Sequence, residues 1–127
     1  MFSIYHAGTD LLYDLKDRFK NLCKGYGFIQ TYYYSDSKKA IARKVLPVLK
    51  SYRKLLLQKK NWSLPTWVAE EGEQLSEEGL NARWLSYIDQ MIFAFHLMDI
   101  GSYHNEKEGV IDEGLMLFAR YYRHMWD

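Results

Sequence analysis

The chain has 127 residues, 48% hydrophobic and 26% charged, with a formal net charge of +1. That is ordinary globular composition, long enough for one domain with its own core, and the charge balance points to no particular class of partner. A single cysteine, Cys23, excludes an intramolecular disulfide and fits a reducing compartment, and no run approaches the 18 apolar residues of a membrane span. The opening residues MFSIYHAGTD lack a basic region and a long apolar run, so no signal peptide is expected. Aromatic residues reach 17%, mostly through eleven tyrosines and four tryptophans. Both types bury area yet keep a polar tip, so part of this excess suits a surface or an interface.

Thr9 or Asp10 can cap a first helix to about Lys24, with Leu11, Leu15, Phe19 and Leu22 as its apolar stripe and Gly25 as its stop. The stretch GYGFIQTYYYSDS reads as an ordered loop packing its rings, a short β-rich excursion being the alternative. A second helix runs from Asp36 or Ser37 to about Gln58. Ile41, Val45, Val48, Tyr52 and Leu55 share one of its faces, with Leu49 and Leu56 beside them. Pro47 lies inside this pattern, opposite the apolar face, and predicts a kink or break near residues 43–46. Pro65 can open a short helical turn, TWVAEEG, before a loop over Gly72 to Ser76.

The clearest element is the next one, Asn81 to Ile100. Trp84, Ile88, Met91, Phe95 and Met98 follow at steps of four, three, four and three, and from Met91 to Met98 only His96 is polar. A helix apolar on most sides belongs in the middle of a bundle. Gly101 ends it, and Asn105 with Glu108 resembles a capping box for a last helix. That helix carries Ile111, Leu115, Phe118, Tyr122, Met125 and Trp126 on its apolar face. Gly109 and Gly114 inside it suit close helix packing. The expected fold is all-α, a single domain over residues 1–127 with four main helices and one short one, around a central helix at about 81–100.

Charge is segregated. From Ser37 to Ala69 there are nine bases and no acid; from Glu70 to Glu78 there are five acids and no base. On the second helix Arg43, Lys50 and Lys54 line up opposite the apolar stripe, with Arg53 to one side. Such a row can hold phosphates, with Tyr32 and Tyr34 of the aromatic loop as stacking rings. The bland alternative is a solvated face balanced by the acidic segment, within the fold or across a homo-oligomer. His96 can touch Asp99, three residues on; a histidine satisfied at the core's edge is the plainer reading. No HExxH, CxxC, GxGxxG, Walker loop or GxSxG is present. No catalytic residue, metal site or cofactor is therefore expected, and an enzyme acting on nucleotides ranks last.

The patterns VLPVLKSYRKL, NARWLSYIDQMIFAFHLMD and IDEGLMLFARYYRHMWD resemble a group of small uncharacterised proteins encoded by tailed bacteriophages. The likeness covers about residues 40–127, including Trp84, Ile88, Met91, Ile92, Ala94 and Phe95, then Glu113, Gly114, Leu115, Leu117, Phe118, Tyr122 and Trp126. That group usually has an Asp/Glu–Glu pair just before the tryptophan, where this chain has Asn81 and Ala82. The resemblance implies phage origin, a host bacterial cytoplasm and a compact helical fold, and it brings no activity. The expectation is a non-catalytic binding protein, acting in counter-defence on a host protein or an anionic nucleotide. The alternative is a nucleic-acid-binding accessory of phage replication or packaging. No membrane partner is expected, and a homo-oligomer is.

Overall fold

A computed structural model describes residues 7–31, 36–58, 63–101 and 105–125. The fold is all-α. Helices α1 (Ala7–Cys23), α2 (Ser37–Gln58), α3 (Glu77–Ile100) and α4 (Asn105–Tyr121) follow in order, with 3-10 turns at Thr66–Val68 and Tyr122–His124, and no strand occurs among the described residues. The chain forms two compact units, Met1–Ala40 and Ile41–Asp127.

The first unit is a helix with the following loop folded back on its polar side. Asp14, Asp17 and Asn21 sit at i, i+3 and i+7, one face of α1. Gln30 donates to Asp14, and the Thr31 amide and hydroxyl both donate to Asp17, the amide at 2.7 Å. The buried Asn21 amide donates to the Ile29 carbonyl at 2.6 Å. Gly25 and Gly27, at φ 85° and 93°, let the chain reverse into this position. Phe28 meets Phe19 edge to face at 5.5 Å. The expected ordered loop is therefore there over residues 24–31, but polar groups hold most of it. The expected stripe of α1 lies outside: Leu11, Leu15, Phe19 and Leu22 are 41–61% exposed.

The second unit is organised around α3. The Ser76 hydroxyl accepts from the Gly79 amide at 3.0 Å and caps its start. Gly101, at φ 73°, closes its end by donating to the Leu97 and Met98 carbonyls. Trp84, Ile88, Met91, Phe95 and Met98 are all buried, as the spacing predicts. Trp84 is the hub of an aromatic cluster. Its indole N–H donates to the Tyr52 hydroxyl at 3.3 Å, and its ring meets Trp67 at 5.4 Å and Tyr121 at 5.8 Å, edge to face. His124 stacks on Trp67 at 4.7 Å.

On the other side α4 runs antiparallel to α3. Phe118 packs on Phe95 at 5.0 Å, Tyr121 stacks on Tyr87, and Gly114 lies against Ala94. Tyr121 is buried here, whereas the expected Tyr122 is exposed. The chain tightens into a 3-10 turn at that point, and the Tyr122 ring stacks on the outside of Phe118 at 5.8 Å.

Helix α2 is one continuous helix through Pro47, which is exposed, so of the expected kink or break the break does not occur. It buries Ala42, Leu46 and Leu49, with Val45, Tyr52 and Leu56 half-covered. Ile41, Val48 and Leu55, expected on the buried face, are exposed. The apolar arc of α2 is about half the helix wide, and the core uses only the edge nearer Arg53.

Candidate binding surface

The edge α2 uses is set by two arginines. Arg43 Nε donates to Asp99 at 2.8 Å, and Arg53 Nε donates to Asp89 at 2.5 Å. Arg43 and Arg53 are ten residues apart on α2, and Asp89 and Asp99 are ten apart on α3. The order of the pairs makes the two helices antiparallel, with about 15 Å between the bonds at the helical rise. The hydrogen bond it donates to Asp89 holds the Arg53 guanidinium above its ordinary pKa. The two arginines of the basic row are thus balanced by α3.

The expected balance came from the acidic segment 70–78, where Glu73 is instead engaged by its own corner. Arg83 Nη2 donates to Glu73 Oε2 at 2.9 Å, Nη1 donates to Glu73 Oε1, and Nη1 also reaches the Val68 carbonyl at 3.2 Å. The Glu70 amide donates to Glu73 at 3.0 Å. This fork holds the Glu73 carboxyl down at about 2.

Of the row read from sequence, Arg43 and Arg53 are thus engaged with carboxylates, while Lys50 and Lys54 are exposed and meet no acid among the described residues. Tyr32 and Tyr34 lie outside the described residues. His96 is exposed, and Asp99 turns to Arg43 instead of meeting it. Among the described residues no group of three His, Cys, Asp or Glu side chains could hold a metal ion, and no helix is long and apolar enough to cross a membrane.

The surface that sequence reasoning missed is on α1. Its apolar face is open because its polar face does the internal work. Exposed Lys16 edges this face on one side, while exposed Lys20 lies further round, towards Asp17. Asp14 and Asp17 are held below the ordinary carboxylate range, Asp14 first by Gln30 and Asp17 first by the Thr31 hydroxyl. The signal was present: two acids and an amide at i, i+3 and i+7 mark a face prepared for hydrogen bonds. No protein-family model, curated protein or solved structure matches the chain.

Proposed function

We propose that the protein acts without catalysis, by binding another protein through the apolar face of α1. The observation that carries this reading is the exposure of Leu11, Leu15, Phe19 and Leu22 along one helical stripe. An amphipathic helix lays such a stripe into an apolar groove of its partner, with the anchors at helical spacing. Lys16 along one edge calls for a carboxylate on the matching rim of that groove. The likeness of residues 40–127 to small phage proteins makes the partner a bacterial host protein, met in the cytoplasm, with counter-defence as the purpose. The anionic-ligand reading is weaker, because a phosphate at Arg43 or Arg53 would first have to displace a carboxylate.

The test is the double substitution Leu11→Glu and Leu15→Glu. Surface changes of this kind move stability by no more than about 0.5 kcal/mol. Thermal unfolding is expected to stay put while capture of a specific protein from bacterial extract is lost. A loss of several kcal/mol would mean the stripe is already covered in the isolated protein. Capture that persists in the variant would equally end the reading, and adsorption to lipid vesicles in place of protein would hand the face to a membrane.

A further inference from the structure

Helix α3 has a second uncovered face, independent of α1. With α2 packed on one side and α4 on the other, its outer face still leaves Phe93 47% and Ile100 56% exposed. Beside them is a groove of about 470 Å3, lined among others by Ala82, Leu85, Ser86 and Val110. Exposed Asp89 stands one turn before Phe93, and exposed His96 stands one turn after it.

We propose that this face pairs with the same face of a second copy of the chain, antiparallel, about a two-fold axis at Phe93. An antiparallel pair centred on residue 93 sets positions equally far before and after it against each other. His96 then meets Gln90 and Asp89 of the second copy, and Ile100 falls over Ser86 and the hollow beside Leu85. Each contact occurs twice, as a closed two-fold interface requires. An imidazole donates an N–H in either protonation state, and Asp89 keeps lone pairs free after accepting from Arg53. The two Phe93 rings meet offset or edge to face at the axis.

The argument for a second copy, and not an unrelated occupant, is self-complementarity. Donor and acceptor, and knob and hollow, lie on one face at matching distances from one residue. A parallel pair would set Asp89 against Asp89 and lose this match.

Sedimentation of the full chain at working concentration tests the proposal, and a dimer mass is expected. Phe93→Glu should weaken association by about 100-fold or more, the scale of a central anchor. In a Cys23→Ser background, Phe93→Cys should form a disulfide-linked dimer under mild oxidation, because only a residue at the axis meets itself. Met116→Cys, on an exposed site of α4, serves as the control and should not. A monomer, a dimer unaffected by Phe93→Glu, or cross-linking no better at residue 93 than at residue 116 would each overturn the proposal. Should Phe93→Glu fail to fold, the mass of the parent chain and the cysteine pair still decide.

Discussion

Gly114 of α4 lies so close to Ala94 of α3 that no methyl fits between them. A Cβ on Gly114 would run into the Ala94 side chain and stand 2.7 Å from the Gln90 carbonyl oxygen, which belongs to the backbone and cannot swing away. Alanine is better than glycine in a helix by about 1 kcal/mol, but overpacking costs about 1–3 kcal/mol. Gly114→Ala is therefore expected to lower stability. Gly109, five residues earlier, has open space around it, so Gly109→Ala should raise stability by up to about 1 kcal/mol. Thermal unfolding of the two variants separates the cases, and a gain at Gly114 would mean that the helices do not approach there.

The core of α3 gives the largest expected effects. Phe95 is 4% exposed against Phe118, and Trp84 is 3% exposed at the centre of the aromatic cluster. Phe95→Ala and Trp84→Ala should each cost about 3–5 kcal/mol in denaturant unfolding. Trp84→Phe should recover most of the area but leave the Tyr52 hydroxyl without its donor. A cost under about 1 kcal/mol for Phe95→Ala would show that α3 is not the centre of its unit.

Acid should act on three carboxylates. Glu73 has a folded-state pKa of about 2 against an ordinary 4.5, and Asp14 and Asp17 are lowered from 3.8. A depressed pKa stabilises the fold above the unfolded-state value and ceases to do so as pH falls through the folded-state value. For Glu73 that window runs from 4.5 down to about 2. Unfolding measured across this range should show stability falling with pH, and the Glu73→Gln variant should show a shallower fall. Identical slopes in variant and parent would break the link to the Arg83 fork.

The arginines of α2 should be poor anion sites until their partners are removed. Calorimetry with inorganic phosphate and with oligonucleotides is expected to show little binding by the parent chain. Asp89→Asn and Asp99→Asn release Arg53 and Arg43 and should increase it. Each exposed ion pair is worth about 0.2–1 kcal/mol, so these variants should remain folded. Strong oligonucleotide binding by the parent, falling steeply with salt and abolished by Arg43→Glu with Lys50→Glu, would restore the nucleic-acid reading.

Helix periodicity in the sequence carried the all-α class, the extent of α2 and the core stripe of α3, because both faces of a central helix must be apolar whatever covers them. It misread α1 and α2 for a common reason. A stripe such as Leu11–Leu22 says which face is apolar, and not whether anything covers it. On α2 the apolar arc was wide enough that the pattern alone left the buried edge undecided between Ile41/Val48/Leu55 and Ala42/Leu46/Leu49. The deciding contacts came from polar residues: Arg43 and Arg53 on α2, and Asp14, Asp17 and Asn21 on α1. Their significance depends on a matching set elsewhere in the chain, and that match was readable as the shared ten-residue interval between two arginines and two aspartates.

That interval has a consequence for folding. Two apolar helices can slide along each other at little cost, since leucine packs against leucine in several offsets. Here the arginines act as a key with two teeth. If α2 slips by one turn along α3 so that Arg43 moves toward Phe95, Arg53 moves the same way, toward Leu85, and both leave their aspartates together. Reversing α2 would pair Arg43 with Asp89 and Arg53 with Asp99, but it would carry Tyr52 away from the Trp84 indole. The pairs add little to the depth of the native well; what they do is empty the neighbouring ones.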